Sequence, residues 1–217
     1  MSVDLMGIIA HRLSKQDLLD LPAMLDQWSP IDATKNPAKW RCDYEMTPDT
    51  LEAIWQDWET NAAPPSINEV FDNVIDCSFG SIDVWRNTIV VCSDRHRYDF
   101  LCDPVSAAKI LHANRIIARH LNAAVILYTT DSSYPTSVII DKAQLGMTVN
   151  ELIAFGIEQF GTPPKQVAEG VKYMFFIDEI TTEIGELKEW NINTDGYWRY
   201  NFGKNKYELK QNVNGSD

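Results

Sequence analysis

Apolar residues recur along the chain in two rhythms, a helical one that dominates the first third and a strand-like one that takes over afterwards. Residues 6–12 (MGIIAHR) read as a short opening strand. Ser14 then starts a helix, with Asp17 three residues on as its capping-box partner. Leu18, Leu21, Leu25 and Trp28 follow at helical spacing, and Pro22 inside that pattern either kinks the helix or splits it in two. Residues 29–46 hold two prolines and mixed polarity, and read as a long loop with an extended piece at 39–44. Thr47-Pro48-Asp49 supplies a cap, a proline at the first helical position and an acid in the first turn. Leu51, Ile54, Trp55 and Trp58 then lie along one face of that helix. Ser66 and Glu69 open a shorter helix to about residue 75.

From Cys77 the chemistry favours strands, with Ile82, Val84, Ile89, Val90 and Val91. Arg86-Asn87 is either a turn between two strands or part of one long strand. Residues 93–96 read as a polar turn and 97–102 as extended. Asp103-Pro104 opens the clearest helix, which Asn122 can end in a left-handed conformation. Residues 123–130 (AAVILYTT) form an apolar strand, 131–135 a turn, and 136–141 a returning strand. Thr148 and Glu151 make a third box, and Gly161 stops the helix that follows. Residues 171–180 read as another strand, and the segment from 194 onward as a terminal β-hairpin before a polar tail at 212–217. About five helices in no regular βαβα order predict an α+β fold, with a mixed or mostly antiparallel central sheet. The expected organisation is one domain over residues 1–211, helix-rich over 1–75 and sheet-rich over 76–211.

Composition narrows the function classes. The 217 residues are 45% hydrophobic and 23% charged, which fits a globular protein and excludes a collagen, a coiled coil or a mostly disordered chain. Nineteen Lys and Arg against 31 Asp and Glu leave a formal charge of -12, which disfavours general nucleic-acid binding. No stretch approaches a membrane helix, and the apolar patch at residues 5–10 is too short, and lacks the basic start, for a signal peptide. Cys42, Cys77, Cys92 and Cys102 form no CxxC pair and show no zinc-finger spacing, so reduced thiols in the cytoplasm are expected, with no disulfide, metal or cofactor. Walker, GxGxxG, GxSxG and HExxH motifs are absent from the sequence.

Four groups of residues could carry chemistry. Asp178 and Glu179 end a strand, and Glu186 and Lys188 follow; an acid upstream of Glu-x-Lys can hold magnesium and orient water. The plainer reading is solvated loop charges. Cys92, Asp94, His96, Asp99, Cys102 and Asp103 crowd together, and a Cys92–His96 pair could make a nucleophile or contribute to a zinc site, although neither spacing is the usual one. His112 and His120 lie two helical turns apart, too far to share a metal, and His11 reads as a core or rim residue. Aromatic residues form the last group. Trp55 and Trp58 with Glu59, and Trp190, Tyr197, Trp198 and Tyr200, could anchor a protein interface, with core packing the plainer reading.

Two functions follow. The first is a cytosolic, acidic, non-enzymatic binding protein that neutralises a basic protein partner, in the physical style of an immunity protein or other intracellular inhibitor. The acidic stretches at 43–59 and 178–189 are its candidate contact patches. The alternative is a small metal-dependent hydrolase or nuclease-like enzyme using Asp178, Glu186 and Lys188.

Overall fold

The opening strand lies inside the sheet, with a neighbour on each edge. The protein is seen in a computed structural model that describes residues 4–28, 41–42, 47–61, 65–67, 75–77, 80–96, 104–130, 135–163, 175–180, 196–201 and 206–211. Strands β1 (Asp4–Ala10), β2 (Arg41–Cys42), β3 (Ile75–Cys77), β4 (Gly80–Val84), β5 (Thr88–His96), β6 (Val125–Thr130) and β7 (Phe176–Glu179) form one sheet. Its order is β2-β3-β4-β5-β1-β6-β7. Every neighbouring pair is antiparallel. The architecture is α+β with a central antiparallel sheet, as the sequence predicts. Strands β8 (Gly196–Asn201) and β9 (Lys206–Gln211) pair as a separate two-stranded ribbon, the expected C-terminal hairpin.

Side chains alternate across a strand, so β1 feeds two cores. Leu5 and Ile9 join Ile82, Val84, Ile89, Val91, Ile126, Tyr128 and Phe176 on one face. That face is covered by helices α1 (Lys15–Leu19), α2 (Leu21–Trp28), α3 (Pro48–Thr60) and α4 (Pro104–His120). Ile8 joins Val90 and Leu127 on the other face, under α5 (Val138–Gln144) and α6 (Val149–Phe160). Each fully buried Leu or Ile is worth roughly 1.5–3 kcal/mol against exposure. No helix among the described residues is long and apolar enough to cross a membrane.

Local signals set the helix ends. Ser14 and Thr148 each accept a hydrogen bond from the backbone N–H three residues on, and the acids Asp17 and Glu151 bond back to the cap backbone. Both boxes are as read from the sequence. Pro22 splits the first helical pattern rather than kinking it: α1 ends at Leu19 and α2 restarts at Leu21. Pro22 then sits in the first turn of α2, where no intrahelical N–H bond is lost. Asn122 takes the left-handed conformation after α4, with φ 53°. Arg86-Asn87 is a two-residue turn, closed by the Trp85 N–H donating to the Thr88 carbonyl at 2.9 Å.

Two segments differ from expectation. Residues 136–141 do not return as a strand; a 3-10 turn at Pro135–Ser137 leads into α5. Their β-branched residues favour a strand, but Ile139 and Ala143, one helical turn apart, are both buried against the second core, and that packing overrides propensity. Residues 93–96 continue β5 instead of turning, because β4 and β1 extend far enough to pair with them, Gly80 opposite Ser93 and Asp4 opposite His96. The expected helix from Ser66 shows only Ile67, and all of residues 97–103 and 171–174 lie outside the described residues.

Helix α6 lies close on Phe175. A Cβ added at Gly156 would come within 2.5 Å of the buried Phe175 ring. Gly156→Ala gains up to about 1 kcal/mol of helix propensity but overpacks a filled site, which costs about 1–3 kcal/mol. A net loss of about 1 kcal/mol in urea denaturation is the expected outcome.

Candidate functional site

At one end of the sheet, β1 runs out into His11, Arg12 and Leu13, beside the turn Arg86-Asn87. The C-terminal half of α3 lies across them with Trp55, Trp58 and Glu59. Together they enclose a cleft of about 220 Å³. Three of the aromatic and acidic residues picked out from the sequence, Trp55, Trp58 and Glu59, thus share one site. Helical spacing puts Trp55, Trp58 and Glu59 within one turn of α3, and the two indole rings stand 5.9 Å apart at 44°. Trp58 is buried and its indole N–H donates to the Pro65 carbonyl at 2.9 Å. Trp55 is half-buried; its indole N–H donates to the Glu59 carboxylate at 3.1 Å, and the Lys15 ammonium sits 5.5 Å from its ring centroid.

The other wall is basic. Arg86 donates to the Trp58 carbonyl at 2.9 Å. That carbonyl is in the last turn of α3, which has no basic residue of its own, so Arg86 satisfies an orphan acceptor and offsets the negative end of the helix dipole. Arg12 is exposed and has no hydrogen-bond or ion-pair partner among the described residues. His11 is buried and held at both ring nitrogens. Its Nε2 meets the Trp85 carbonyl at 2.6 Å, and its Nδ1 meets the Leu13 N–H at 3.1 Å. A carbonyl only accepts and an amide N–H only donates, so the ring is neutral with its proton on Nε2. Burial pushes the His11 pKa below the usual histidine value, against the smaller opposing effect of the Trp85 carbonyl. The cleft's charges are therefore two guanidinium groups and one carboxylate.

A second polar group lies inside the first core. Arg115 of α4 donates to both carboxylate oxygens of Asp178 in β7, at 2.7 and 2.5 Å. Asp178 is only 3% exposed, so the solvated-loop reading of this carboxylate is corrected: it is a buried, paired charge. The pair is possible because Asp178 stands beside Ile126, on the face of β7 that α4 covers. Next to it Asn114 donates to the Tyr128 hydroxyl at 3.1 Å. Burial, and then the Asp178 charge, push the Tyr128 hydroxyl well above its ordinary pKa. Burial first, and then Arg115, lower the pKa of His112.

The remaining candidates are scattered. Glu179 is exposed at the end of β7. Glu186, Lys188 and Trp190 lie outside the described residues. Cys92 lies in β5 opposite Met6 and Ser81, and His96 stands four residues further along the same strand, opposite Asp4 across a shift in register. Asp99, Cys102 and Asp103 lie outside the described residues. Among the described residues no three His, Cys, Asp or Glu side chains converge as a metal set. Tyr197, Trp198 and Tyr200 lie in β8, opposite Lys210, Leu209 and Tyr207. Arg12, Arg86 and Asn87 carry no sequence signal of a site: only the fold brings them to the cleft.

Two outcomes are expected. Asp178→Asn removes the charge that two Arg115 donors bind at a 3% exposed position, and should cost about 1.5–3 kcal/mol in chemical denaturation. His11 and His112 are both depressed in the folded state, so the unfolded chain takes up protons first as pH falls. Stability should hold above the ordinary histidine pKa of 6.5 and decline below it. His11→Asn should flatten part of that slope, with His112 supplying the rest, as read by denaturation at a series of pH values.

Family models, curated proteins and solved structures were each compared with the chain, and none matches it.

Proposed function

We propose that the chain is a cytoplasmic binding protein, not an enzyme, and that the outer face of α3 docks a basic protein partner in the manner of an inhibitor. The observation that carries this is the charge of one helix. α3 holds Asp49, Glu52, Asp57 and Glu59, all exposed, and no Lys or Arg. Glu52 is met by Lys15 at 2.5 Å and Glu59 by the Trp55 indole, while Asp49 and Asp57 have no side-chain partner among the described residues. Half-buried Trp55 bonds Glu59 and lies beside the Lys15–Glu52 pair, as an aromatic anchor at the edge of a charged rim. The formal charge of -12 adds a long-range field that speeds encounter with a basic surface. The hydrolase alternative has less support, because both oxygens of Asp178 are engaged by Arg115.

Affinity capture from host lysate, at low and at high salt, tests this reading. The expected result is one stoichiometric basic protein, released by salt. Its association with an Asp49→Asn, Asp57→Lys variant of unchanged circular dichroism should be about tenfold slower. No stoichiometric partner, or one indifferent both to salt and to these substitutions, overturns it.

A further inference from the structure

The cleft between α3 and the β4–β5 turn differs in charge from the helix that roofs it. Arg12 and Arg86 stand against Glu59 alone, since His11 is neutral, which leaves a positive site in a chain of formal charge -12. Glu59 is turned to the Trp55 indole N–H at 3.1 Å. Arg86 uses one of its donors on the Trp58 carbonyl, which fixes its position, and a guanidinium has five N–H donors. Arg12 is exposed and uncommitted among the described residues. One anchored and one open guanidinium line the same cleft, and each can offer an oxyanion paired N–H donors, the way a single arginine binds carboxylate or phosphate. Beside them, half-buried Trp55 offers an aromatic wall. The volume of about 220 Å³ is below the ~300–1,000 Å³ typical of drug-sized sites, and suits a single ring.

We propose that this cleft binds a small single-ring oxyanion, an aromatic carboxylate or phosphate monoester, with the charged group on Arg12 and Arg86 and the ring against Trp55. The cleft shares Trp55 with the surface proposed for the partner, but its two arginines select an anion and not a basic protein. Two readouts follow the binding: the indole N–H resonances of the ¹⁵N-labelled full chain, with that of Trp55 assigned from Trp55→Phe, and calorimetry. The probes are benzoate, phenyl phosphate, inorganic phosphate and the neutral isostere benzamide.

The expected result is a saturable shift of the Trp55 resonance with benzoate or phenyl phosphate, and none with benzamide. Whichever of the two binds more tightly identifies the oxyanion. Arg12→Gln removes an exposed, unpartnered side chain and keeps the fold, and it should weaken binding by roughly tenfold, the effect of losing one charge-assisted contact. Benzamide matching benzoate, inorganic phosphate matching phenyl phosphate, affinity unchanged in Arg12→Gln, or no saturable shift with any probe at millimolar concentration would each overturn the proposal. Because Asp49 and Asp57 are untouched, these outcomes leave the test of the basic partner unaffected.

Discussion

Strand β1 is apolar on both sides, and it is paired on both edges. Leu5 and Ile9 face one way and Ile8 the other, and none is more than 2% exposed. An antiparallel sheet can leave one face to solvent, but not when an interior strand carries large aliphatic side chains in both directions. Both faces need a helical cover, and the chain supplies one before β4 and others after β5 and β6. Four helices of the described residues cover the Ile9 side, and two cover the Ile8 side. In the second layer Gly156 lets the Phe175 ring approach the α6 backbone.

Burial of that kind leaves little room for polar groups, and two pairs of them bond across elements, while Trp85 Nε1, Thr88 Oγ1, His112 Nδ1 and Asn114 Oδ1 are buried without a hydrogen-bond partner among the described residues. Arg115 and Asp178 join α4 to β7 from positions 63 residues apart in sequence. An ion pair in such a place adds little net stability over well-packed apolar residues, because desolvation offsets the attraction. Its value lies in register: a carboxylate at the face of β7 is tolerable only where a guanidinium arrives opposite it. Asn114 and Tyr128 act alike one step nearer the sheet centre, where Gly7 leaves room for the Asn114 amide.

What could be read from the sequence follows the range of each interaction. The capping boxes at Ser14 and Thr148 close within four residues, so their residue types announce them. The apolar strand β6 and the stripe of Leu51, Ile54 and Trp58 were equally visible, because periodicity is local. Residues 136–141 failed because a β-branched run favours strands, while what holds it helical, contact of Ile139 and Ala143 with a distant core, is tertiary. The cleft was half legible. Trp55, Trp58 and Glu59 share one helical face, but Arg86 meets Trp58 across 28 residues and His11 meets Trp85 across 74. No local pattern encodes such meetings.

The turn at Arg86-Asn87 ties three parts of the molecule at one point. Arg86 reaches the Trp58 carbonyl in the layer on one face of the sheet. The Asn87 amide donates to the Gly146 carbonyl at 2.6 Å, in the link between α5 and α6 on the other face. The Asn87 carbonyl accepts from the His11 N–H at 3.3 Å, at the end of β1. A two-residue turn thus works as a rivet through all three layers. Peeling either helical layer back at this end breaks a bond to the same two residues, so the turn couples local opening on one face of the sheet to local opening on the other.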